Sequence, residues 1–188
     1  PLLLGWNEDD KIILRLLNAK EYVESIKNQF GKNAEAVLAL FPGNTDEEAA
    51  KSQGDLSRDQ TFAVQGFAWA NIQSANGKSP VYVYNFNRKL PAASPESYFG
   101  SFHTGEVVYA YDNLFTVKRP WEKADHDLAK SMSTYWTNFV KTGNPNNTSL
   151  VKWPAYKINT MQVLQLDKKI ESTKLPTEKK LALLSSLY

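Results

Sequence analysis

The sequence predicts an α/β layered fold, and three observations support this. Residues 2–6 and 80–86 are runs of apolar, aromatic and β-branched side chains, which is typical of strands buried on both faces. Between and after these runs, apolar residues recur at the spacing of amphipathic helices. The elements follow one another as strand, helices, strand, loop, helices, strand and helix, the alternation that α/β layers show.

The first half of the chain is predicted to be mainly helical. Residues 20–30 carry apolar side chains at helical spacing, and Gly31 follows as the expected C-cap. A shorter helix is predicted at 34–41, before Pro-Gly. The longest helix is predicted at 56–75, with Asp59 near its start, where it either caps the helix or pairs with a buried arginine.

The second half predicts a long helix at 123–141, a strand at 161–166 and a terminal helix at 177–187. This gives two or three strands in all, too few for a stable sheet of this kind. The apolar run 2–4 also reads as a core strand already in progress. We therefore expect that further sequence precedes residue 1 and completes the domain.

Composition excludes several classes of function. The net charge is +2 and the charges are interspersed, which argues against a nucleic-acid or acidic-membrane partner. No apolar run approaches the roughly 20 residues that span a bilayer. The chain has no cysteine, so thiolate metal sites, cysteine nucleophiles and disulfides are excluded. A periplasmic, secreted or cytoplasmic location remains open.

His103 is the candidate catalytic residue. It follows a strand and a long loop, and imidazole is the side chain best suited to move protons near neutral pH. The other histidine, His126, lies in a charged segment that opens a helix, where we expect it to be exposed and without a role. By residue type alone, a loop histidine hydrogen-bonded to Glu106 is the better interpretation of His103, and no activated nucleophile is visible.

Four segments resemble motifs of the type B carboxylesterase family, which includes cholinesterases and para-nitrobenzyl esterases. Residues 5–10, Gly-Trp-Asn-Glu-Asp-Asp, are similar to the family's Gly-x-Asn-x-Asp-Glu-Gly. Residues 100–106, Gly-Ser-Phe-His-Thr-Gly-Glu, resemble its Gly-Ala-x-His-Gly-x-Glu. Residues 135–146 resemble Trp-x-Asn-Phe-Ala-x-Thr-Gly-Asp-Pro-Asn, and residues 153–156 resemble Trp-Pro-x-Tyr. The four segments occur in the family's order.

The resemblance implies that residues 1–188 are the C-terminal portion of a carboxylesterase α/β-hydrolase domain, with a Ser-His-acid triad. It makes His103 the catalytic histidine and Asp10 the acid. The family usually has Glu at that position and Gly where this chain has Lys11. Aspartate also orients an imidazole in serine hydrolases. Asp9 or Glu8 takes the role if the alignment slips.

The resemblance also implies where the other site residues lie. The chain contains no Gly-x-Ser-x-Gly motif and no Gly-Gly oxyanion segment, so both are expected upstream. Glu106 is expected to support the histidine, whereas Phe99 and Phe102 line a substrate pocket or belong to the core. The expected chemistry is ester hydrolysis, without a metal or organic cofactor.

The expected partners follow from the same reasoning. They are an ester substrate, the missing N-terminal part of the protein and, through an exposed apolar face, a second copy of the chain. By itself this chain is expected to be inactive. The alternative is a cholinesterase-like interaction or adhesion module that has lost catalysis, with Asp10 and His103 as remnants. The substitutions of Asp for Glu and of Lys11 for Gly favour that alternative, and the intact histidine segment opposes it.

Overall fold

The structure is a computed structural model that describes residues 1–187. The chain divides into two compact units. The first contains Pro1–Asp9 and Gly66–Pro176, and the second contains Asp10–Gln65 together with the residues from Thr177 onward. Among the described residues, no helix combines the length and apolarity that crossing a membrane requires.

The first unit is built on a four-stranded sheet, with β1 (Leu2–Asn7), β2 (Val81–Phe86), β3 (Gln162–Leu166) and β4 (Glu171–Lys174) side by side in that order. The first three strands are parallel and β4 is antiparallel to β3. The predicted α/β fold is therefore confirmed. The sequence did not predict β4, because its Glu-Ser-Thr-Lys composition lacks the apolar alternation that marks a strand.

The predicted helical segments agree closely with the structure, with one exception, and the short helix at Val107–Ala110 was not predicted. The described residues form α1 (Ala19–Phe30), α2 (Ala34–Leu40), α3 (Asp46–Arg58), α4 (Val64–Asn76), α5 (Val107–Ala110), α6 (Lys123–Thr142) and α7 (Glu178–Ser185), with short 3₁₀ turns at Gly31–Asn33, Pro95–Ser97 and Leu114–Thr116. Gly31 caps α1 with a positive φ, as expected.

The exception is the predicted helix at 56–75, whose start is wrong. A π-helical segment, Asp59–Ala63, joins α3 to α4, so helical structure runs from Asp46 to Asn76. Asp59 lies in the middle of this run and does not cap it. Its Oδ1 accepts a hydrogen bond of 2.7 Å from the Nε of buried Arg58, so the expected arginine pair is confirmed. Burial raises the pKa of Asp59 and outweighs the effect of Arg58.

The core of the first unit lies between the sheet and α6. Its buried side chains include Phe86 and Leu166 from the strands and Met132 and Tyr135 from α6. Trp153 is fully buried among them, and its Nε1 donates to the carbonyl of Val83 at 3.0 Å. Two further aromatic residues, Trp136 and Phe139, are partly buried against this cluster.

A buried ion pair fixes the start of α6 to the loop that follows β2. Arg88 donates from Nε to Oδ1 of Asp125 at 2.6 Å, and the hydroxyl of Tyr109 donates to the same oxygen at 2.7 Å. Burial raises the pKa of Asp125, but these two donors outweigh that effect and hold the pKa below its usual value. Because Tyr109 belongs to α5, the pair also anchors the segment after His103.

Candidate active site

The end of β1 lies beside the loop that carries His103. The backbone N–H of Asp9 donates to the carbonyl of Ser101 at 3.2 Å. In return, Oδ2 of Asp9 accepts from the N–H of Ser101 at 2.9 Å and from its hydroxyl at 3.1 Å. Ser101 is fully buried. Two residues before the histidine, the loop is therefore held by backbone and side-chain hydrogen bonds to Asp9, two residues after the end of β1.

Gly100 permits this close approach. Its φ is +70°, in the left-handed region that glycine tolerates best. A Cβ at this position would lie 2.1 Å from Oδ2 of Asp9, well inside van der Waals contact. The residue therefore has to be glycine on two counts, backbone conformation and space.

His103 occupies a tight turn. The N–H of Gly105 donates to the carbonyl of Phe102 at 2.9 Å, and Thr104, in the third position, has a φ of +66°. This is the pattern of a type II turn, with His103 in the second position. The side chain of His103 is exposed. The turn thus presents the imidazole at the surface of the first unit.

Asn7, the last residue of β1, holds both sides of this turn. Its Nδ2 donates to the carbonyl of Phe102 at 2.8 Å and to the carboxylate of Glu106. Asn7 is 2% exposed. Neither Asn7 nor Ser101 had a role predicted from the sequence. The one available signal was a polar residue at the end of an apolar strand, since the contacts themselves join residues more than 90 positions apart.

The two aromatic residues proposed for a substrate pocket contact one another. The rings of Phe99 and Phe102 meet edge to face, with centroids 6.1 Å apart. Phe99 is 60% exposed, whereas Phe102 is partly buried against the core. The guanidinium of Arg119 lies over the Phe102 ring at 5.4 Å. Their assignment to a substrate pocket stays a prediction.

The candidates for the triad acid lie in both units. Asp10 opens the second unit and is 4% exposed. Glu8, in the first unit, donates its backbone N–H to the carbonyl of Phe86 at 2.9 Å. His126 is exposed on α6, as expected. Within residues 1–187, no cluster of three or more metal-ligating side chains occurs.

An open cavity of about 470 Å³ borders the His103 loop on the side of Glu106. Tyr84 and Trp136 form part of its wall, and Tyr111 and Val140, which are 72% and 82% exposed, also line it. The first unit therefore has an uncovered, largely apolar surface next to a residue of the candidate site.

The fold is that of an α/β hydrolase. Two solved structures match 98% of this chain at 27% identity: a PNB esterase with a TM-score of 0.71 and a thermophilic PNB esterase with a TM-score of 0.75. The match covers 38% of each of those chains. Because the match covers nearly the whole chain, the likeness is one of architecture and not of a single motif.

Residues 7–184 match the model of the carboxylesterase family, and the chain belongs to that family. It is 31% identical over 180 residues to the para-nitrobenzyl esterase of Bacillus subtilis (strain 168), and this alignment covers 90% of the chain and 35% of that protein. It is 30% identical over 205 residues to the medium-chain fatty acyl-CoA hydrolase precursor of Anas platyrhynchos, and this alignment covers 96% of the chain and 36% of that protein. The chain thus spans little more than a third of the relatives' length.

Proposed function

We propose that the polypeptide containing this chain hydrolyses carboxylic esters with a Ser-His-acid triad and that His103 is its general base. The observation that carries the proposal is the exposed position of His103 in a loop that Asn7 and Asp9 hold against the end of β1. Membership in the carboxylesterase family supports the reaction class.

In this mechanism a serine outside residues 1–188 attacks the ester carbonyl. His103 accepts the serine proton and then donates it to the leaving alcohol. Water repeats the cycle on the acyl-enzyme and releases the acid. Oxyanion donors, also outside this segment, stabilise the negative charge on the carbonyl oxygen in both steps.

We assign the role of triad acid to Asp10, which orients the imidazole and stabilises the imidazolium. Its place in the family motif supports this assignment. Asp9 is less suitable, because its Oδ2 already accepts two hydrogen bonds from Ser101. Glu106 is assigned a supporting role, since its carboxylate accepts a hydrogen bond from Asn7 and braces the segment after the histidine.

Ester hydrolysis by the complete encoded polypeptide tests the proposal. We expect a burst of p-nitrophenol from p-nitrophenyl acetate, followed by steady turnover. Purified residues 1–188 alone should show no turnover above buffer, because they contain no Gly-x-Ser-x-Gly nucleophile. Robust hydrolysis by residues 1–188 would overturn the proposed division of the triad. An inactive complete polypeptide would favour the catalytically dead interaction module.

We further propose that isolated residues 1–188 associate with one another. Strongly exposed apolar side chains support this, including Tyr111 and Val140 beside the cavity and Phe115, which is 86% exposed. Sedimentation velocity at two protein concentrations tests it. A purely monomeric species at both concentrations would contradict the proposal.

A further inference from the structure

The contacts of Asn7 have a consequence for the chemistry of His103. A single buried amide nitrogen donates to the carbonyl of Phe102, the residue before the histidine, and to the carboxylate of Glu106, three residues after it. The same Phe102 carbonyl accepts the N–H of Gly105, which closes the turn. Asn7 therefore binds the turn where it begins and the segment into which it leads.

We propose that Asn7 is a positioning residue for His103, acting through the Phe102 carbonyl and the Glu106 carboxylate. The inference rests on the proposed function, because it gives these contacts a role in catalysis by His103. Asn7 belongs to β1, which pairs with β2 over six residues, so its own place is fixed by the sheet. The turn, by contrast, has an exposed histidine and a non-glycine residue at positive φ. Hydrogen bonds from Asn7, whose position the sheet fixes, thus restrain the turn.

Asparagine is suited to this position because its amide donates to a carbonyl and to a carboxylate at once. Leucine has nearly the same size and donates to neither. Aspartate has the same shape, but it also lacks the donor and places a second negative charge against Glu106. Each substitution should leave β1 in the sheet while loosening the turn, and a displacement of about 1 Å costs up to roughly 100-fold in rate.

The test is steady-state kinetics of Asn7→Leu in the complete polypeptide, with active sites counted by complete reaction with a fluorophosphonate. We expect kcat per site to fall roughly 10- to 100-fold with a KM change below about threefold. The acidic limb of the pH profile of kcat/KM should also move, because the surroundings of the imidazole change. A misfolded fraction lowers the site count and moves neither quantity.

Asn85→Leu is the matched control. Asn85 is also buried, lies on β2 opposite Trp6, and donates to the Trp6 carbonyl at 3.3 Å. It makes the same kind of strand-end contact without touching the histidine segment. We expect its kcat per site to stay within about twofold of wild type. Equal losses in Asn7→Leu and Asn85→Leu, or an unchanged kcat in both, would overturn the proposal.

If Asn7→Leu yields no soluble protein, Asn7→Asp and Glu106→Gln provide a second test. Asn7→Asp alone should lower kcat per site. Adding Glu106→Gln should raise kcat again by at least about tenfold, because the carboxamide at position 106 then donates to the carboxylate at position 7. Additive losses would overturn the proposal. A His103→Ala variant that keeps its activity would instead refute the proposed function, so the two failures are distinguishable.

Discussion

Oδ2 of Asp9 accepts two hydrogen bonds from Ser101, one from its backbone N–H at 2.9 Å and one from its hydroxyl at 3.1 Å. The two residues are 92 positions apart in the chain, and Ser101 is fully buried. This contact joins the two sequence segments that carry the family's acid and histidine motifs. Asp9 thus has a structural role in the acid motif, which supports the proposal that Asp10 is the triad acid.

Asp9→Ala should destabilise the first unit. The substitution leaves the N–H and hydroxyl of Ser101 without their acceptor in a buried position, which costs about 1–3 kcal/mol. Urea unfolding of wild type and variant measures the difference. Asp127→Ala is the control, because Asp127 is exposed and pairs with exposed Lys123. Unfolding of Asp9→Ala at the same urea concentration as the control would contradict this role.

Gly100→Ala should destabilise the first unit. The φ of Gly100 is +70°, so the substitution carries a backbone penalty of roughly 1–2 kcal/mol. A Cβ at this position lies 2.1 Å from Oδ2 of Asp9, so we expect a further loss of about 1–3 kcal/mol. Urea unfolding of wild type and Gly100→Ala measures the total. A total no larger than the backbone penalty would show that the Asp9 side chain moves aside without cost.

Asp125→Ala should be strongly destabilising because it removes the buried counter-charge of Arg88, which is 6% exposed, and leaves it the longer pair of 3.2 Å with half-exposed Glu122. Breaking such a pair costs about 3–5 kcal/mol. Lys123→Ala, which breaks an exposed pair with Asp127 on the same helix, should cost less than about 1 kcal/mol. Chemical denaturation at neutral pH compares the two. A loss at Asp125 no larger than that at Lys123 would refute the importance of the buried pair.

The Arg88–Asp125 pair predicts that the stability of the fold depends on pH. Because Arg88 and Tyr109 hold the pKa of folded Asp125 below its usual value, the ionised form is favoured in the folded state. Its contribution is fully present above the unfolded-state pKa, about 4, and is lost as pH falls through the lowered folded pKa. The stability difference between wild type and Asp125→Asn should therefore shrink between about pH 5 and pH 2. A difference that is constant over this range would contradict the assignment.

Asp10→Asn should impair catalysis without unfolding the protein. An amide does not hold the imidazole in the required tautomer, and the corresponding loss in serine proteases is about 10⁴-fold in kcat. Asp10→Glu restores the family's usual residue and should retain substantial activity. Kinetics of both variants in the complete polypeptide provide the measurement. A full-strength Asp10→Asn enzyme, with the catalytic loss at Asp9→Asn instead, would move the triad acid to Asp9.

Local patterns allowed most elements of the fold to be predicted, but not those that depend on distant contacts. The parallel strands β1 and β2 are apolar runs, and α6 shows clear helical periodicity. The edge strand β4 is polar and exists through its pairing with β3. The start of the long helix was wrong because the π-helical segment bridges two helices without any breaker residue.

The candidate site also has a part that local sequence predicts and a part that depends on distant contacts. His103 was identifiable because its residue type and its motif agree. The bonds that fix it, from Asn7 and from Asp9, join strand-end residues to a loop more than 90 positions away. A short polar side chain at the end of an apolar strand has many possible partners, and only the sheet register decides which of them it reaches.

Catalysis by His103 is tested by kcat for p-nitrophenyl acetate in the complete polypeptide, with His103→Ala compared with His126→Ala. If His103 is the general base of ester hydrolysis, His103→Ala should lower kcat by at least roughly 10³-fold. Activity of His126→Ala should stay within about twofold of wild type, since His126 is an exposed residue on α6. A folded His103→Ala variant with more than about a tenth of wild-type activity would show that His103 is not the general base.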